Sequence, residues 1–177
     1  MLLYFLALLF NHKRKEQKLC KVISILFVIF AMFARIIEAS EFNLSVEKTA
    51  LIKAVSMVEN QAGDPEAVGD KHLEHKAYGL LQIRQMYLDD ANRFAGKKVF
   101  QKWGVDKLTL QDMKDKEKAE WVFTIYLSYY GNVYTKKTGK KPTVKVYARI
   151  HNGGPNGWKK DSTLAFAEKV LENFKNS

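Results

Sequence analysis

Among the carboxylates of this chain, Glu59 stands in the setting best suited to proton transfer. Ile52, Val55 and Glu59 recur at i, i+3 and i+7, so one face of a helix would carry apolar side chains and a carboxyl group together. At the edge of a core, loss of hydration disfavours the charged form, and a general acid needs a proton it can still give near neutral pH. The competing expectation for a glutamate near a helix C-terminus is a solvated surface position. Further along, two stretches combine glycine with amide side chains: Gly79-Leu80-Leu81-Gln82, and the run from Tyr147 to Gly154 that contains His151 and Asn152.

In order, Glu59-Asn60, Gly79-Leu80-Leu81-Gln82 and Tyr147-Ala148-Arg149-Ile150-His151-Asn152-Gly153-Gly154 resemble the three motifs of the lytic transglycosylase and goose-type lysozyme family. Those motifs are usually Glu-Ser, Gly-Leu-Met-Gln and Ala-Tyr-Asn-x-Gly. The resemblance covers roughly Val46 to Phe174 and implies an all-α or mostly α, lysozyme-like single domain with a substrate cleft. Asn60 stands here for the usual Ser, Leu81 for the Met, and His151 for the Tyr before the motif's Asn.

The same resemblance implies that Glu59 is the catalytic acid and that peptidoglycan glycan strands are the substrate. Gln82 would bind the N-acetyl sugar, and Tyr147 and Asn152 would orient the acid or the sugar. Asn60 and His151 fall at substrate-contacting positions, and Tyr126-Leu127 is similar to the Tyr-Leu pair that lines the family's cleft. The amides of Gln82 and Asn152 donate and accept at once, which suits N-acetyl and hydroxyl groups.

Most glycosidases use two carboxyl groups, whereas only Glu59 lies in a recognisable motif here. The family implies a single-acid route: Glu59 protonates the bridge oxygen, the N-acetyl group assists, and the sugar's own 6-hydroxyl closes an anhydromuramoyl product. Asp64, Asp70 and Glu74 lie in the following loop as candidates for a second carboxylate, which would make the reaction hydrolytic. Asp64 and Asp70 also sit where turn-forming aspartates are expected. A non-catalytic saccharide-binding module of the same fold is the third reading, motivated by Asn60 and His151.

No cofactor is expected. Asp70, His72, Glu74, His75 and His151 are of metal-ligating type, but His72-x-x-His75 lies in a loop without a recognised ligand frame, so no metal is expected either. Nucleic-acid binding would rest on basic charge alone, with no reading helix or aromatic sheet motif to carry it.

The N-terminal segment reads as a targeting element. Lys13, Arg14, Lys15, Lys18 and Lys21 precede an apolar stretch from Val22 to Phe33, and Ile37-Glu38-Ala39 offers a cleavage site. Residues 1–39 are therefore expected to be a signal peptide or N-terminal membrane leader, and residues 40–177 the exported domain, a monomer that touches the membrane only if the leader is retained. Cys20, the only cysteine, falls in the leader, so the mature chain would have no disulfide. Loss of the leader's six Lys/Arg and two Asp/Glu would lower the formal net charge from +10 to +6, a balance compatible with an anionic polymer such as the bacterial wall.

The elements that must position these residues follow from periodicity and punctuation. Ser45 is placed to cap a helix from about Val46 to Glu59. Gly63, Asp64-Pro65 and Gly69-Asp70 make the next stretch a loop. A helix is expected from Leu80 to Phe94, ended by Gly96. The longest runs from about Asp115 to Lys137, with acidic residues first and lysines last, as the helix dipole favours. Another carries Val146, Tyr147 and Ile150 up to the turn Gly153-Gly154-Pro155-Asn156-Gly157, and Asp161 or Ser162 would cap the last, through Phe174. No alternating strand pattern is present.

Overall fold

The computed structural model describes residues 47–60, 63–95 and 101–177. The leader, Ser45 as a cap and Gly96 as a helix stop lie outside the described residues. Helix α1 is described over residues 47–59 and ends on Glu59, with the Asn60 amide still donating to the Ser56 carbonyl at 2.8 Å. Its buried face is Leu51, Ile52, Ala54 and Val55. The carboxyl-bearing end thus continues an apolar face, as the spacing predicts.

The polar stretch after α1 is not wholly irregular. Two short antiparallel strands, β1 (Val68–Gly69) and β2 (Ala77–Tyr78), pair Val68 with Tyr78 and Gly69 with Ala77. Two residues per strand are too few for an alternating pattern to register in the sequence.

Helix α2 spans Gln85–Ala95, so it begins five residues later than expected. Leu81 and Ile83 are buried and look helical by composition, but Gly79 at φ 75° and Gln82 at φ 47° break the helix. The chain here folds back on itself, with Tyr78 and Ile83 exchanging backbone hydrogen bonds at 3.0 Å.

Helix α3, Lys116–Thr138, is the axis of the domain. The Asp115 carboxylate accepts from the Lys118 amide at 3.1 Å at its start, and Gly139 at φ 71° ends it, close to the expected bounds. Its middle, from Ala119 to Gly131, is buried at helical spacing between the other elements. At Gly131 a Cβ would stand 2.7 Å from the Tyr147 ring, so glycine there lets helix α4, Val144–Gly153, lie close against α3.

Helix α5, Leu164–Lys175, completes the set. Asp161 and Ser162 do not cap it; they belong to a 3-10 turn, Asp161–Thr163, that precedes it. The Thr163 hydroxyl is buried and instead accepts from Arg149 Nε at 2.9 Å, tying α4 to this turn. Among the described residues no helix is long and apolar enough to cross a membrane.

The approach to α3 carries a pH-sensitive brace. Asp112 accepts from Lys118 Nζ at 2.5 Å and from the Thr109 amide and hydroxyl at 2.8 and 2.7 Å. Burial alone would push this carboxyl up, but the hydrogen bonds from Lys118 and Thr109 outweigh it and hold it below the ordinary aspartate range. A carboxylate that is more acidic folded than unfolded contributes stability above its unfolded pKa, lost as pH falls through the folded value. Asp112→Asn should therefore lose stability at neutral pH and show a shallower further loss on acidification below about pH 4. Urea midpoints measured at several pH values check this; parallel curves for the two proteins would refute it.

Candidate active site

Glu59, at the C-terminus of α1, opens onto a cavity of about 690 Å³. That is within the range of about 300–1,000 Å³ usual for ligand sites. Its floor and walls come from the end of α1, the hairpin, the start of α2 and the turn before it, the middle of α3, and the end of α4 with the turn that follows. Of the residues expected at the site, the fold brings Glu59, Gln82, Tyr126, His151 and Asn152 to this cavity.

Gln82 reaches it from the left-handed turn before α2. Its amide nitrogen donates to the Gly79 carbonyl at 2.8 Å, and its Oε1 lies where a Cβ on Gly69 would stand, at 1.9 Å. Glycine in β1 is what admits the Gln82 side chain. On the far side, Gly153, Gly154 and Pro155 form a wall. Arg149 NH2 donates to the Lys160 carbonyl at 2.9 Å and Lys160 Nζ to the Gly153 carbonyl at 2.6 Å, so the turn is tied down from behind.

Two expected residues are not at the cavity. The Asn60 amide turns away to donate to the Asp64 carbonyl at 2.5 Å, closing the loop after α1. Tyr147 packs against Gly131 on the α3–α4 contact, where burial pushes its hydroxyl pKa up. On a helix, Tyr147 and His151 are four residues apart, yet the register of α4 gives the contact with Glu59 to His151 and the helix contact to Tyr147.

His151 is buried, its side chain only 3% exposed, and lies against Glu59 rather than open to a ligand: Nε2 is 3.2 Å from Glu59 Oε1. The Glu59 side chain is 21% exposed, so the carboxyl group is sheltered on the protein side and open on the cavity side.

The cavity also holds residues that lie in none of the three motif-like stretches. Asp70, considered only as one of several loop carboxylates, lines it at φ 49° just beyond β1, and its carboxylate pairs with Arg84. Asp64 does not line it. Tyr87 belongs to no motif; its ring stacks on Tyr126 with centroids 3.5 Å apart and planes at 17°. Asp90 follows one turn on and accepts from the Tyr130 hydroxyl at 2.5 Å. Burial pushes the hydroxyl pKa values of Tyr87, Tyr126 and Tyr130 upward, so all three stay protonated. Among the described residues no three His, Cys, Asp or Glu side chains converge as a cation would require.

A mostly helical domain that hangs a glutamate at the end of one helix over a cleft, opposite a short hairpin, has a lysozyme-like fold. The structure is similar to the crystal structure of Tapes japonica lysozyme, with a TM-score of 0.50 and 20% identity over 70% of this chain and 87% of that one. It is equally similar to a chain in the crystal structure of Aeromonas hydrophila PliI in complex with Meretrix lusoria lysozyme, with a TM-score of 0.50 and 19% identity over the same shares. No protein-family model and no curated protein matches the sequence. At this identity the likeness is one of fold. It supports the lysozyme-like class without singling out lytic transglycosylases or goose-type lysozymes.

Proposed function

We propose that this protein is an exported glycosidase that cleaves the MurNAc–GlcNAc bonds of peptidoglycan, with Glu59 as the general acid. The observation that carries the reading is the presence of Glu59 and Asp70 on one cavity of saccharide-binding size. Glycosidic cleavage needs a proton on the leaving oxygen and a stabilised oxocarbenium-like sugar, and a pair of carboxyl groups supplies both. Glu59, sheltered by His151, delivers the proton. Asp70, paired with the Arg84 guanidinium, faces the developing positive charge or the water that attacks it. Gln82 and Asn152 offer amides to the N-acetyl and hydroxyl groups.

This favours hydrolysis over the anhydro-forming route implied by the motifs, because the sequence resemblance rested on one carboxylate and the cavity holds a second. One observation keeps the anhydro route as the second reading. The ion pair with Arg84 neutralises Asp70, which would leave Glu59 as the one carboxyl group acting on the sugar.

Digestion of purified sacculi in ¹⁸O-labelled water, followed by mass spectrometry of the muropeptides, separates the readings. Hydrolysis gives reducing ends with label at the anomeric carbon, and Asp70→Asn should then lose about 10²-fold or more in turnover, the scale at which a positioned acid or base contributes. Unlabelled anhydromuramoyl ends with an active Asp70→Asn variant would overturn the hydrolytic reading. Saccharide binding without any product would identify a binding module instead.

A further inference from the structure

The carboxyl group of Glu59 has two unlike sides. Oε1 faces His151 Nε2 at 3.2 Å, while the group as a whole opens on the cavity. On the opposite edge of the imidazole, Nδ1 lies 3.5 Å from the Tyr87 hydroxyl oxygen, a long but buried contact. Phe123 and Phe166 cover the ring with centroids at 5.2 and 6.0 Å and bring no polar atom. The titratable groups facing the ring are thus Glu59 from α1 and Tyr87 from α2, with Tyr126 of α3 stacked behind Tyr87.

A neutral imidazole carries one N–H and one bare lone pair, and the partner of one nitrogen sets the state of the other. Tyr87 keeps its proton, because burial and then the charges of Tyr126 and Glu59 push its ionisation well up. Of the two tautomers that fit these distances, the one with the ring proton on Nε2 has the Tyr87 O–H donating to Nδ1 and Nε2–H donating to Oε1 of Glu59. With Oε1 occupied as an acceptor, the transferable proton is left to Oε2.

We infer that Tyr87 and His151 are positioning residues: a one-way hydrogen-bond chain, Tyr87 to His151 to Glu59, that selects which carboxyl oxygen protonates the substrate. This rests on the reading of Glu59 as the acid. It gives His151 a role different from the sugar contact implied by the motif, and it gives Tyr87 a role that no motif suggests. Both act through Glu59 and neither needs to touch the sugar.

The test joins kinetics to a spectroscopic signature. ¹⁵N NMR of the imidazole should show His151 of the wild type with its proton on Nε2. Tyr87→Phe retains a ring to stack on Tyr126 but removes the donor, so the Nδ1-protonated tautomer should grow and kcat should fall with KM unchanged. His151→Phe should lower kcat by about 10²-fold, the scale of a misplaced catalytic group, again at unchanged KM for a soluble peptidoglycan fragment. His151→Gln, which restores an N–H donor, should recover part of that loss. A wild-type proton on Nδ1, or full kcat in His151→Phe, overturns the chain. If His151→Phe does not fold, the Tyr87→Phe tautomer and kcat decide alone. Failure of the underlying reading looks different: Glu59→Gln would then keep its turnover, whereas a dead Glu59→Gln beside a fully active His151→Phe removes only this inference.

Discussion

Replacing Glu59 with Gln is expected to lower turnover of peptidoglycan by about 10²- to 10⁴-fold, the usual contribution of general acid catalysis, while leaving saccharide affinity and the fold nearly intact. The amide matches the carboxyl group in size and occupies the same 21% exposed position at the end of α1. Its amide can still donate to or accept from His151 Nε2, so that contact survives. Only the proton is missing. Turnover on purified sacculi, set beside oligosaccharide binding by calorimetry and a urea midpoint, measures the three quantities separately. A variant that binds, folds and still turns over at the wild-type rate would remove Glu59 from the mechanism.

Gly79→Ala is expected to cost about 2–5 kcal/mol, the sum of a left-handed backbone penalty of about 1–2 and an overpacking penalty of about 1–3. Gly79 sits at φ 75°, and a Cβ there would stand 1.9 Å from the backbone carbonyl oxygen of Met113. Backbone on the other side cannot rotate away as a long side chain would. The Gly79 amide also donates to the Ala67 carbonyl at 2.9 Å, so moving it pulls on the hairpin that presents Asp70 and on the turn that presents Gln82. Gly104→Ala is the control, since Gly104 has φ 65° but nothing within 4 Å of its Cβ position. Urea midpoints should drop far more for Gly79→Ala than for Gly104→Ala. Equal drops would mean that the close approach to Met113 carries no energy. Since domains are stable by only about 5–15 kcal/mol, the Gly79 variant should also lose activity near its lowered melting temperature.

Much of the molecule was legible in the chain itself. Asp115 and Gly139 bracket α3 because capping and left-handed termination depend on a few neighbouring residues. Glu59 falls on the buried face of α1 because a helix repeats every 3.6 residues whatever surrounds it. The ordered motifs led to the mostly helical, lysozyme-like class, which the structural comparisons share.

What the sequence could not determine were the pairings between distant segments. Leu80 to Ile83 reads as helix by composition, yet Gly79 and Gln82 adopt left-handed conformations there because the Tyr78–Ile83 pairing and the contact with Met113 demand them. Asn60 and Tyr147 lie within the motif-like stretches of the chain and away from the cavity in space. Conversely, Asp70 and Tyr87 carry no motif and stand at its wall. The contact between Glu59 and His151 spans 92 residues, and that between Tyr87 and His151 spans 64. Local propensity has no reach over such distances. They are decided by how α1, α2 and α4 pack around α3, where burial of Val55, Leu88, Phe123 and Ile150 sets the rotation of each helix and therefore which polar side chain meets the acid.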